Sequence, residues 1–236
     1  MKLQRSLILM MVACLLSTVA LAKKDELPAV SPEGLELRKG KVASVLYVRP
    51  GVDFSRYKRI AILDCPVAFS KDWEQERKGS AVRVSQKDMD EIKAALSAEF
   101  LKIFTDELQT RGGYQIVTTG GEDVLVLRPA IVDLDVSAPD TMQAGRSYTL
   151  SESSGAMTLY LEFFDSVSGQ ILARAIDREA DRGSGRIQYQ NKVTNRAEAD
   201  RILRRWASAL RARLDEVTGQ GGTDRAGPAT SETVTP

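Results

Sequence analysis

The chain has no histidine among its 236 residues. That removes Ser-His-Asp and Cys-His catalytic machinery, the usual general base near neutral pH, and every zinc site that needs an imidazole. Catalysis would have to run on carboxylates, lysine or a carboxylate-bound metal. Cysteine is nearly absent as well, with Cys14 and Cys65 only. Aromatics make up 6% of the chain. An excess of charge is also missing: 33 Lys+Arg stand against 32 Asp+Glu, interspersed along the chain. Nucleic acid, whose phosphates demand a basic surface, is therefore not an expected partner. No polybasic stretch offers itself to an anionic membrane.

What is present begins with a leader. Lys2 and Arg5 precede a nearly continuous apolar run from Ser6 to Val19, and Ala20-Leu21-Ala22 supplies a small-x-small cleavage pattern. The run is too short for a spanning helix. Residues 1–22 read as an export signal, with the mature protein starting at Lys23. Its loss leaves 31 of the 33 Lys+Arg against 32 Asp+Glu. Met11-Val12-Ala13-Cys14 loosely matches a lipobox, so lipidation at Cys14 is the alternative, and only that route would tie the protein to a membrane. Otherwise it is expected in the periplasm. Once the leader is gone Cys65 is alone, so no internal disulfide can form, and a lone cysteine at the end of an apolar run reads as packed core.

Residues 23–36, broken by Pro28, Pro32 and Gly34, read as a flexible lead-in, and residues 218–236, rich in Gly, Ser and Thr, as a disordered tail. Between them residues 37–217 suit one domain. Strands are expected at 43–49 and 58–65, with a polar loop over 70–84. A helix is expected over 86–111, where Met89, Ile92, Leu96, Phe100, Ile103 and Leu108 recur at helical steps and Gly112-Gly113 stops it. A short strand follows at 114–118. Val124, Val126, Ala130, Val132, Leu134 and Val136 then alternate as one strand face, with Pro129 implying an edge or a bulge. Met157, Leu159, Leu161 and Phe163 face the core of a hairpin that turns at 165–169 and returns through 171–177. A last helix opens near Asn195-x-x-Glu198 and carries Ile202, Leu203, Trp206, Leu210 and Leu214 on one stripe. The order implies an α/β (α+β) domain: a mixed, largely antiparallel sheet with two helices on one face.

Leu46-Tyr47-Val48-Arg49-Pro50-Gly51-Val52-Asp53-Phe54-Ser55-Arg56-Tyr57 and Ile60 to Val67 resemble the front half of a bacterial envelope lipoprotein family, domain of unknown function 3313. Leu127 to Asp133, Phe163 to Gly169 and Asp200 to Leu210 agree in order and spacing. The resemblance implies an envelope location and an α/β fold. It carries no activity, cofactor or catalytic residue.

Three groups of side chains bear on function. Asp133 and Asp135 on one strand, with Asp177 and Asp181 on the returning hairpin strand, could bind calcium or form an acid/base pair, or simply solvate the outer face of the sheet. Trp73, among charged neighbours, either tucks onto the domain or anchors a partner. The long polar loop over 137–155, with Arg146 and Tyr148, is the other candidate binding segment. The arginines of the last helix find acidic neighbours and read as a solvated face. With no catalytic motif and no metal-ligand spacing, the sequence points to a non-catalytic module that binds an envelope protein or polymer, without a cofactor. A hydrolase working through carboxylates or a metal is the rival.

Overall fold

The computed structural model describes residues 27–39, 43–79, 84–136, 149–151, 155–180, 188–190 and 192–219. Its strands are β1 (Glu36–Arg38), β2 (Val45–Val48), β3 (Arg59–Ile62), β4 (Val67–Phe69), β5 (Gln115–Ile116), β6 (Val124–Val136), β7 (Thr149–Ser151), β8 (Gly155–Asp165), β9 (Ile171–Ala180) and β10 (Gln188–Gln190). Its helices are α1 (Lys71–Gly79), α2 (Gln86–Asp106), which runs on into a π-helical turn Glu107–Arg111, and α3 (Lys192–Thr218). The main sheet has the order β1-β2-β9-β8-β6-β3-β5, with β4 also pairing with β6. Pairs made by β3 and β4 are parallel, and the rest of the sheet is antiparallel. β7 and β10 form a separate two-stranded ribbon. The fold is thus the mixed, mostly antiparallel α+β sheet that the pattern implies.

Helices α2 and α3 cover one face and run parallel: Arg196, near the start of α3, reaches Glu99, and further along both segments Arg211 reaches Glu107 and Tyr114 reaches Asp215. α2 starts on a capping box in which Ser85 accepts from the Asp88 backbone N–H while Asp88 accepts from that of Ser85. The core between the layers joins Phe100, Ile103, Phe104 and Leu108 of α2 and Ile202, Leu203, Trp206 and Leu210 of α3 to Leu127, Ile131, Leu159 and Leu161. The helical stripes read from the sequence are those that are buried.

Strand β6 departs from the expectation. Its buried residues are Val124, then Leu125, Leu127, Pro129 and Ile131, these four one position out of step with the face anticipated, and then Leu134. The phase changes at Asp133, whose φ is +51°, where the register with β8 also shifts. A bulge adds one residue and reverses which parity faces the core. Pro129 lies at neither an edge nor that bulge, but within a strand paired to β8. The Leu63 N–H donates to the Leu127 carbonyl and the Ile131 N–H to the Pro66 carbonyl. Alternate residues point the same way, so the nitrogen of Pro129 faces the break between β3 and β4, where no donor is needed.

Three further expectations change. Part of the expected loop over 70–84 is helix α1, seated by Trp73. Residues 28–36 are no loose lead-in: Leu35 is fully buried with Tyr47 and Ile171 in a second small core on the sheet's other face. That segment is tied down by the Tyr47 hydroxyl donating to the Pro28 carbonyl and by Arg49 donating to the Glu33 carbonyl. α3 begins at Lys192, three residues before the anticipated cap, and Thr218 at its end is buried rather than part of a tail, its hydroxyl donating to the Leu214 carbonyl.

Candidate binding groove

A concavity of about 350 Å³ opens between α2 and the first half of α3, above the joined ends of β6 and β8. Its floor is Leu134, Val136 and Met157, and its walls are Ile92, Ala95 and Leu96 of α2 with Ala199 and Ile202 of α3. Asp88, Glu91 and Glu99 of α2 and Glu198 of α3 stand with it, and Arg196 is the cation among its lining residues. Two parallel helices diverging over a flat sheet end leave such a cleft wherever residues are too small to meet across it, here Ala95 and Ala199. A volume of this order lies at the small end of ligand-binding clefts.

The bulge shapes the floor. By reversing parity at Asp133 it turns Leu134 and Val136 toward the helices. The facing strand answers with Gly155, at φ +133°, where an added Cβ would stand 2.1 Å from the Asp135 carbonyl oxygen. Only glycine admits that approach. At the same strand end lies Trp73. Its ring is 2% exposed, stacks on Phe69 at 4.2 Å and 9°, and its indole N–H donates to the Val136 carbonyl at 2.9 Å. Trp73 is therefore not the partner anchor that its charged neighbours suggested. It is a core residue whose indole fixes the end of β6, which carries the groove floor.

The carboxylates named from the sequence do not gather. Asp133 is exposed in the bulge and Asp135 borders the groove. Asp177 lies on β9, with β8 between it and β6, opposite Leu159. The face it shares with Glu179 is the one α3 covers, not the open outer face: the Trp206 indole N–H and the Ser44 N–H and hydroxyl all donate to Asp177, and Arg205 pairs with Glu179. Asp181, Arg146, Tyr148 and Cys14 lie outside the described residues. No group of three or more potential metal-ligating side chains occurs among the described residues.

The buried carboxylate on the outer face is Glu162, which the sequence reading passed over because it alternates inconspicuously with Leu161 and Phe163. Arg128 and Arg174 donate to it, as does the Tyr160 hydroxyl. Burial pushes its carboxyl up, but the two guanidiniums outweigh that and hold it below the ordinary range. Arg174 continues to Glu33 at 2.9 Å, so this network also fastens the N-terminal segment. Every one of these acceptors is used internally, which marks the cluster as structural.

Cys65 is buried, and burial pushes its thiol up to about 12, which suits packed core and not a nucleophile.

Among the described residues no helix is long and apolar enough to cross a membrane. No curated protein matches the chain. Among solved structures it is similar to a PelC dodecamer subunit from Paraburkholderia phytofirmans, with 11% identity, 70% of this chain and 96% of that one covered and a TM-score of 0.36. A minor lipoprotein from Acinetobacter baumannii shows 11% identity, 70% and 95% coverage and a TM-score of 0.29. A PDZ domain protein from Parabacteroides distasonis shows 12% identity, 72% and 34% coverage and a TM-score of 0.36. Likenesses this distant transfer no function. The family match is of another order: residues 28–210 match the family described as protein of unknown function (DUF3313), and the chain belongs to it.

Proposed function

We propose that this protein is exported to the cell envelope and works there by binding, through the groove between α2 and α3, and not by catalysis. The leader and the family's envelope character support the location. The observation that carries the binding role is the groove itself, an apolar-floored cleft of about 350 Å³ bordered by charged groups. Burial of apolar ligand surface there would contribute roughly 25 cal/mol per Å². The carboxylates on which the rival hydrolase reading rested do not support it, since Asp135 and Asp177 have a full strand between them.

The test is site-specific photocrosslinking in the native bacterium. A photoreactive residue at Ala95 in the groove wall should give adducts that disappear when Ala199→Trp fills the cleft. One at Val132, outside the groove, should not give the same adducts. An absence of adducts at Ala95, or adducts indifferent to Ala199→Trp, removes the groove from the function. Fractionation with intact-mass measurement tests the location: a mature chain starting at Lys23 is expected, and a diacylated chain starting at Cys14 would make it an anchored lipoprotein.

A further inference from the structure

We infer that the groove's occupant is an apolar peptide segment flanked by lysine or arginine; this rests on the binding role proposed for the groove and goes on to state the chemistry of its partner. The starting point is an electrostatic reversal. The first turn of α2 lies at the cleft, and its N-terminal dipole alone would favour an anion there. The side chains overturn that preference. Among the described residues, Asp88, Glu91, Glu99, Asp135 and Glu198 line the groove against one cation, Arg196.

The cations that answer Glu91 and Glu99 stand outward and hold them loosely, whereas the Arg201 guanidinium donates to both oxygens of Glu198. Lys87 lies 3.8 Å from Glu91 with 70% of its side chain exposed, and Lys102 lies 3.5 Å from Glu99 with 73% exposed. Arg196 reaches Glu99 at 3.9 Å with 76% exposed. Exposed pairs of this kind contribute about 1 kcal/mol or less, so an incoming cation can displace them at little cost. Asp88 differs, being committed to the Ser85 cap.

The floor selects the rest of the ligand. Leu96, Leu134, Met157 and Ile202 offer an aliphatic surface, and none of the described lining residues is an aromatic on which a sugar could stack. An anionic lipid headgroup would meet the carboxylates unfavourably. Aliphatic side chains on the floor with cations at the rim satisfy both halves of the site.

The probes are three fluorescent peptides sharing one leucine-alanine core and flanked by lysines, serines or glutamates, titrated into the purified exported chain, with vesicles of anionic phospholipid as a fourth arm. Each is measured against the protein and against its Ala199→Trp variant, which reports whether binding is in the groove. The lysine-flanked peptide should bind most tightly and weaken with added salt. Glu91→Gln combined with Glu99→Gln should weaken it roughly fivefold while leaving the serine-flanked peptide unchanged, because the rim then carries two fewer negative charges to face its lysines. Equal groove binding by all three peptides would overturn the charge inference and leave the groove reading standing. Preference for the vesicles, lost in Ala199→Trp, would overturn it in favour of a lipid. Failure of every probe to respond to Ala199→Trp would overturn the groove reading itself.

Discussion

Replacing Trp73 by alanine separates a surface anchor from a core strut. An anchor would leave stability untouched, since its burial energy appears only in the complex. The structure demands the opposite. The side chain is 2% exposed, packed face to face on Phe69 and bonded to the Val136 carbonyl. Large-to-small truncation at such a site costs about 3–5 kcal/mol, and within it the aromatic pair contributes roughly 0.5–1.5 and the hydrogen bond about 1. For a domain of this size each kcal/mol moves the midpoint by about 2–4 °C, so a fall of roughly 6–20 °C follows. Urea denaturation followed by far-ultraviolet circular dichroism reads this without relying on the tryptophan removed. Trp73→Phe, which keeps most of the ring burial and loses the N–H, should cost about a third as much. A Trp206→Phe background isolates Trp73 emission, which should be blue-shifted and resistant to quencher. A shift of the urea midpoint worth less than about 0.5 kcal/mol for Trp73→Ala, with red-shifted emission, would refute the placement of Trp73 in the core.

Three more outcomes are expected. Gly155→Ala should destabilise by about 3 kcal/mol or disrupt the β6–β8 end, because φ is +133° and the Cβ would collide with the Asp135 carbonyl; a wild-type urea midpoint would show that this approach does not exist. Asp165 is held down to about 2, chiefly by the Ser168 N–H and also by the Ser168 and Tyr57 hydroxyls. Because the folded value lies below the unfolded one, its stabilisation is complete above about pH 4 and is lost as pH falls toward about 2; Asp165→Asn should flatten that part of the acid-denaturation profile, and an unchanged profile would count against the turn geometry. Cys65 should resist thiol reagents at pH 8 in the native state and react on unfolding, with Cys65→Ala costing about 1 kcal/mol; rapid native labelling would show that it is not buried.

How far the fold was legible depended on whether each signal was local. α2 and α3 were legible because Ile92, Leu96, Phe100 and Ile103, and Ile202, Trp206 and Leu210, repeat at the helix period, and the β8–β9 hairpin because Met157 to Phe163 alternate around a short turn. β6 was read one residue out of phase because its bulge rests on Asp133 adopting a positive φ, which its identity does not announce. Pro129 suggests an edge or a bulge because a break between two partner strands is a property of residues 63–66, not of the proline. Trp73 misled for a like reason, since its sequence neighbours are solvent-facing while its spatial neighbours are Phe69 and Val136.

The candidate site was not legible at all. Ile92, Leu96 and Ile202 read as core, and most of their stripe is core. That the two helices run parallel and stand apart at the first half of α3 is settled only when both pack on one sheet. By itself the sequence determined the want of histidine and the scarcity of cysteine, the helical stripes, and the hairpin, since composition and short-range periodicity are complete within a single segment. Tertiary structure alone decided which strand parity faces the helices, which carboxylates α3 covers, where the N-terminal segment docks, and that a groove exists, because each depends on surfaces brought together from distant parts of the chain.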